Sequence, residues 1–443
     1  NPTERSMQGA ATDESYWLAN SNYYNPYWGY QNGKVRNSRV VNDFAPTALF
    51  TWDWNINKTM KLTTSLSGKY AMYSSTKLNY SNSENPQPDY WKNLPSSYYD
   101  VWNTKDASNR TDGNLEDWNT AYNYMKASEY NRQIQWDKLY YVNQHLQTGS
   151  DAMYYIQAKH NDQLAINLTS SLRINLTKHS TYNVGVNLST NKGLHYQTME
   201  DLLGASTYHN INTYALGTYA SSSNEVQYDL NHPNQVISEG DKFGYNYNIF
   251  VNKANAWMGY TLDKGIFHSF INAKIGGTNM QREGKMRNGL AANNSYGKSG
   301  TAHFLDGGAK IGTNINMGRG NTIVLGAGYE WIAPLASTAF ASPEINNDFV
   351  QNLKCERVFS SEVGYQLETS WLHANINGFY SRTEDGTEWQ NFYFDDINSF
   401  SYVSMNNIKK AYYGVEMGLN FKINSAFNVK AIGTWSDAKN MNN

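Results

Sequence analysis

Between Met60 and Met72 the chain alternates with a period of two. Met60, Leu62, Leu66, Gly68, Tyr70 and Met72 are apolar, aromatic or glycine, and Thr64 is the one even-numbered exception. Lys61, Thr63, Ser65, Ser67, Lys69 and Ala71 between them are charged, polar or small. Successive side chains of a strand point to opposite faces, so this segment predicts a strand with one apolar and one polar face. It is longer than the usual strand of about five or six residues, and long enough for the roughly nine to eleven that a bilayer requires.

The pattern recurs in pairs joined by short turns. Val40–Trp54 and Thr59–Ser74 meet at Asn55-Ile56-Asn57-Lys58, and Asp162–Thr177 and Thr181–Thr190 at Lys178-His179-Ser180. Phe243–Leu262 and Ile266–Gln281 follow, then Ala302–Met317 and Thr322–Trp331, Arg357–Glu368 and Trp371–Ser381, and Lys410–Lys422 and Phe427–Trp435. Gly, Asn, Asp and Ser fill the turns, as tight hairpins need. The connections between pairs are long: Thr76–Ser150, Asn191–Asp241, Gly284–Gly300, Ala333–Lys354 and Thr383–Asn407. One or two helical turns are expected at Thr198–Leu203. Alternating short turns and long loops, around about twelve two-faced strands, predict an all-β antiparallel transmembrane barrel with long extracellular loops. Leu164, Ile166, Leu168, Leu172, Ile174 and Leu176 are expected to face lipid, as are Tyr413, Val415, Met417, Leu419 and Phe421. The intervening polar positions are expected to face a wet lumen.

Composition agrees. Charged residues are 17% and aromatics 14%, with 35 Tyr and 13 Trp. Tyr and Trp gather at membrane interfaces. The mean hydropathy of −0.68 would be too polar for helical spans, but barrel strands are half polar. No apolar run approaches the roughly eighteen residues of a transmembrane helix. A formal charge of −2 argues against a nucleic-acid partner. The single cysteine, Cys355, excludes an internal disulfide. The chain opens Asn1-Pro2-Thr3-Glu4-Arg5 and stops just after a strand pattern. It therefore reads as a fragment, residues 1–443, of a single barrel domain whose remaining strands lie outside it.

Catalytic and metal motifs are missing. No two of the nine histidines fall within four residues, and no nucleophile elbow or phosphate loop occurs. Neither an enzyme nor a cofactor is expected. The acidic runs Glu384-Asp385-Gly386-Thr387-Glu388 and Asp395-Asp396 could offer oxygens to Ca²⁺, without the spacing of a dedicated loop. Aromatic residues crowd the expected outer loops. The candidate ligand-binding residues are Tyr27, Trp28, Tyr30, Tyr90, Trp91 and Trp102, because flat apolar faces with polar edges suit sugars and peptides. Packing of the loops upon themselves is the competing role for the same rings.

Several loop segments go further. Asn25-Pro26-Tyr27-Trp28-Gly29-Tyr30-Gln31-Asn32-Gly33-Lys34 resembles a segment of the TonB-dependent outer-membrane receptors of Bacteroidetes, as do Asn85–Pro95 and Gln133–Asp137. Met199–Gly204, Asp229–Asn234, Glu239–Tyr245, Arg287–Leu290, Ser342–Glu344 and Glu362–Tyr365 continue the resemblance in order. It implies a barrel of about 22 strands with an N-terminal plug, in the outer membrane and multi-pass. It also implies import of a small-molecule, glycan or peptide ligand, energised through the missing plug by the TonB-ExbB-ExbD complex, with a possible surface lipoprotein partner and lipid around the wall. An open porin, a surface scaffold or assembly barrel without energised transport, and a barrel enzyme with a site at its rim are the alternatives.

Overall fold

The computed structural model describes residues 4–102, 112–394 and 399–442. Its first strands are β1 (Glu4–Ser6), β2 (Trp28–Gln31), β3 (Lys34–Asn37), β4 (Val40–Phe44), β5 (Thr47–Asn55) and β6 (Met60–Tyr80). Then come β7 (Tyr154–Thr177), β8 (Ser180–Asp201), β9 (Lys242–Lys264), β10 (Phe267–Gly284), β11 (Gly297–Lys298) and β12 (Ala302–Gly318). The last are β13 (Asn321–Ile332), β14 (Glu356–Glu368), β15 (Leu372–Phe394), β16 (Ser399–Lys422) and β17 (Asn428–Asn440). All but β2 and β3 belong to one antiparallel sheet, in which each long strand pairs with its sequence neighbours. β4 and β5 hold one register on β6 and are parted only at Ala45-Pro46, where proline supplies no N–H. Counted as one, they make a wall of twelve strands, as the alternation predicts.

Register explains the faces. Leu62, Leu172, Val184 and Met258 lie opposite one another across β6 to β9, and Leu66, Leu168, Leu188 and Ala254 form the parallel row. Farther round, Val363, Gly378, Val415 and Trp435 align across β14 to β17. The two polar interruptions of the apolar face, Thr64 and Ser170, are cross-strand partners, and their hydroxyls meet at 2.9 Å. Each satisfies the other across the two strands. Aromatics bound the apolar band: Phe421 lies at the turn end of β16 and Tyr413 toward the loop end. The eight residue steps between them, at about 3.3 Å each, span about 26 Å, close to the apolar band of an outer-membrane barrel before tilt is allowed for.

On the polar face, glycines face aromatics. Gly185 lies under its register partner Trp257, Gly312 under Phe270 and Gly414 under Phe379. A Cβ on these glycines would stand 2.6, 2.6 and 2.9 Å from the rings, so large and small side chains interlock across the strands.

Three expectations change. Thr198–Leu203 is not helical. β8 runs on to Asp201 because Thr198 and Met199 pair with β7, and the chain then turns at Leu203 and Gly204, both at positive φ. Thr383–Asn407 is not a loop: β15 and β16 continue as a long bulged ladder to Phe394 and Ser399. Thr76–Ser150 is not simply irregular. It holds α2 (Pro95–Trp102), α3 (Asp112–Ala127) and α4 (Trp136–Gln144), after the N-terminal α1 (Asp13–Ala19) and before the short α5 (Ala336–Ala339).

Leu172 sits about midway along the bilayer-crossing part of β7. Leu172→Arg is expected to destabilise the barrel in lipid vesicles by about 2–4 kcal/mol, and Ser171→Arg on the polar face to cost little. Denaturant unfolding of both variants in vesicles measures the difference.

Candidate functional site

The candidate site is a cap built at the loop end of the wall by the N-terminal segment and the β6–β7 connection. α1 begins where Thr12 Oγ1 accepts the Ser15 N–H at 3.1 Å and ends at Asn20, in the left-handed region. β2 and β3 form a hairpin whose Asn32-Gly33 turn has both φ values positive, the geometry that matches strand twist. The hairpin lies against the start of α4. Gly29 bridges Ile134, and a Cβ there would stand 1.8 Å from the Ile134 carbonyl oxygen, so only glycine fits.

Arg36 ties the cap together. Its Nη2 donates to Asp201 Oδ2 at 2.6 Å, and its Nη1 to the Tyr140 hydroxyl and Gln31 Oε1, each at 3.0 Å. Its guanidinium lies 4.5 Å from the ring centroid of Trp136, whose indole N–H donates to the Arg36 carbonyl at 3.0 Å. Trp136 is fully buried and packs with Leu78, Ile134, Leu139, Tyr154, Ile156 and Leu203. The cap thus shares a core with the extended ends of β6 and β7. Two further cores carry the other loops. Tyr155, Met199, Tyr208, Ile237 and Phe243 anchor 202–241, and Tyr247, Met280, Ala339 and Phe340 anchor 333–355.

The six aromatic candidates occupy different supports. Tyr27 lies against Gly9, with the Arg39 guanidinium 5.1 Å from its ring centroid. Trp28 packs edge-on against Tyr30 at 5.3 Å, on the hairpin. Tyr90 and Trp91 meet at 6.2 Å at the start of a short 3-10 turn, and Trp91 is half exposed, with Lys92 5.3 Å from its ring. Trp102 ends α2, and its side chain lies outside the described residues. Tyr27, Trp28 and Tyr30 therefore act partly as cap packing, whereas Trp91 remains half exposed beside Tyr90 and Lys92.

The acidic run on β15 is neutralised by cations. Glu384 pairs with Arg357 at 3.1 Å and also with Arg382, Asp385 pairs with Arg357 at 2.6 Å, and Glu388 pairs with Lys410. That leaves it poorly suited to Ca²⁺, and Asp395-Asp396 lies outside the described residues. Among the described residues no group of three His, Cys, Asp or Glu is placed to hold a metal.

The sequence reading assigned the polar face to a lumen but placed no site on it. A cleft of about 810 Å³ opens over it between β9 and β15, edged by Trp257 and Phe379, with Lys274 and Glu330 paired at 2.8 Å. The signal was present as glycine and aromatic residues at matching strand positions, and only the register pairs them.

Two histidines titrate at the loop end, beyond the bilayer-crossing lengths of β7 and β8. His160 stacks on Tyr196 at 4.3 Å with its Nε2 2.8 Å from Thr198 Oγ1, and His195 stacks on Tyr247 at 5.0 Å with its Nδ1 2.8 Å from Asn161 Oδ1. Burial pushes both pKa values below the ordinary 6.5, against the opposing pull of Asp162.

Comparison with solved structures gives the fold. The chain matches the copper transporter OprC with a TM-score of 0.56 and 10% identity, over 92% of this chain and 49% of that one. It matches the ferric citrate transporter FecA in its unliganded form with a TM-score of 0.55 and 7% identity, over 99% of this chain and 47% of that one. FpvA of P. aeruginosa bound to a heterologous pyoverdine and iron matches with a TM-score of 0.51 and 10% identity, over 99% of this chain and 44% of that one. The chain spans about half the length of these structures. Its fold is all-β and antiparallel and resembles that of outer-membrane β-barrel receptors. No protein-family model matches the chain, and no curated protein matches it in sequence.

Trp136→Ala is expected to cost about 3–5 kcal/mol and to expose α4 to limited proteolysis while the wall stays folded. A second expectation concerns acid. A histidine with a lowered folded pKa leaves the unfolded chain binding more protons, so its contribution is present above the unfolded value and lost as pH falls through the folded one. Loop-end stability should therefore decline as pH falls below the ordinary histidine value of 6.5, and His195→Gln should flatten that decline, as read by hydrogen exchange at Tyr196 and Tyr247.

Proposed function

We propose that this chain is the barrel wall of a TonB-dependent outer-membrane receptor of the Bacteroidetes kind, which captures a ligand at its loop end and imports it through the lumen. One observation carries the reading. A two-faced wall of twelve strands has tight turns at one end and, at the other, loops with cores of their own. A porin needs no such investment in loops, whereas a receptor must hold a binding surface in one shape.

The edges of the sheet support a larger barrel. Among the described residues β5 pairs only with β6, and β17 only with β16. In hydrocarbon an unpaired backbone group costs several kcal/mol, so an open edge is not viable and further strands must complete the wall. About 22 strands in all would fit the half-length match to the solved receptors. A plug inside that barrel would be the element on which the TonB-ExbB-ExbD complex pulls. A surface lipoprotein could close over the loops. OprC and FecA carry copper and ferric citrate by name; for this chain the ligand is a small molecule, glycan or peptide that the loop aromatics can cover.

Ligand uptake is to be compared between cells carrying the complete gene and cells in which the TonB-contacting N-terminal box is deleted. Energised import predicts that uptake is lost with the box. Unchanged uptake contradicts it and favours a porin or scaffold. Within the same strains, Trp91→Ala is expected to weaken ligand binding by about 1–3 kcal/mol without lowering the amount of folded barrel, because half of that ring meets solvent rather than core.

A further inference from the structure

Three cations converge on the polar face where β4, β6 and β7 reach the loop end. Val41 lies opposite Ser75, so Arg39, two residues earlier, falls opposite Lys77. There the Val40 N–H is held by Thr76 Oγ1 at 2.8 Å, and that hydroxyl donates to the Ser38 carbonyl at 2.8 Å. Across the other edge of β6, Lys77 lies opposite Gln157 and Ser75 opposite Lys159. Lys159 is therefore the diagonal neighbour of Lys77, at about 7–8 Å between Cα atoms, within reach of long side chains.

Like charges placed this way destabilise a sheet, and the local counter-charge is small. Lys159 meets Glu344 at 3.4 Å and lies 5.4 Å from the Tyr245 ring centroid. Arg39 rests over Tyr27 and has no carboxylate partner among the described residues. The Lys77 ammonium has no hydrogen bond, ion pair or ring contact among the described residues, although the side chain is open to solvent. The bilayer-crossing length of β6 ends near Tyr70, so Lys77 stands above the membrane. Arg39 and Lys159 approach it from the two neighbouring strands, and an anion brought alongside would offset their mutual repulsion.

We propose that Arg39, Lys77 and Lys159 form an oxyanion site at the mouth of the barrel, which takes a carboxylate, sulfate or phosphate group of the incoming solute between the rings of Tyr27 and Tyr245. Its place in ligand capture rests on the receptor reading above; its anion chemistry does not. Arg39 offers a planar fork and the two lysines offer point charges, so charge-assisted bonds to an oxyanion would relieve the mutual repulsion of all three.

The test uses the complete protein in detergent, its lysines dimethylated with ¹³C-formaldehyde and the Lys77 resonance identified by its loss in Lys77→Arg. Citrate is titrated at fixed ionic strength, with maltotriose as the uncharged control. The site predicts a saturable shift of Lys77 with citrate and none with maltotriose. Read on the Lys159 resonance, identified by its loss in Lys159→Arg, it also predicts a loss of citrate affinity of roughly tenfold or more in Lys77→Gln and in Arg39→Gln, binding retained in Lys77→Arg, and no change in Lys264→Gln at the opposite end of the wall. A flat citrate titration, an equal response to maltotriose, or unaltered affinity in Lys77→Gln would overturn it. Uptake that survives deletion of the TonB-contacting box would sink energised import and leave this titration as it stands.

Discussion

Inside a bilayer no water is available to a bare N–H or C=O, and that constraint is the one a wall with the fold of an outer-membrane β-barrel has to meet. Strands must be paired along both edges for the whole crossing, so β6 to β17 form an unbroken antiparallel ladder with each strand beside its sequence neighbour. Apolar residues align in rows across one face of the ladder rather than in a central core, as a lipid-facing wall requires. Thr64 and Ser170 show the rule in an exception, since a hydroxyl can stand on the lipid face when a second one lies opposite it in register.

Beyond the membrane the constraint lifts and the chain behaves as ordinary protein. The strands run on past the lipid, and their ends pack against the connections. Leu78, Tyr154 and Ile156 share a core with Trp136 of α4, and Phe243 shares one with Tyr155, Tyr208 and Ile237. The cap is held by few but concentrated interactions, with Arg36 serving the hairpin, α4 and the end of β8 at once. A binding surface made of connections can keep one shape because it stands on strand extensions rather than on the bilayer.

The wall was legible in the sequence because a period of two survives wherever one face meets lipid. Each of the twelve strands was visible, and the short turns gave their positions within a few residues. Strand ends were less visible. Farther along β15 and β16, Thr383–Phe394 shows no alternation, yet its backbone pairs with 399–410 through a bulged ladder. The helices between β6 and β7 were hidden by their composition. α3 carries Asn, Asp and Tyr around its whole circumference, and α4 is fixed by the buried Trp136 rather than by an amphipathic stripe. Met199-Glu200-Asp201-Leu202-Leu203 looked helical in isolation, but pairing with β7 decided it.

The site was legible only in part. Ring content alone could not separate binding from packing: Trp28 packs on Tyr30, whereas Trp91 is half exposed. Arg39, Lys77 and Lys159 are far apart along the chain, and only the register of β4, β6 and β7 makes them neighbours. The claim on which all of this depends is that the two faces of the wall meet different media. Spin labels placed singly from Gln163 to Leu176 along β7, in the protein reconstituted into lipid, measure this directly through their accessibility to oxygen and to a water-soluble nickel chelate. A barrel in lipid predicts a period of two, with the even positions open to oxygen and the odd positions to nickel. Equal nickel accessibility on both faces would contradict it.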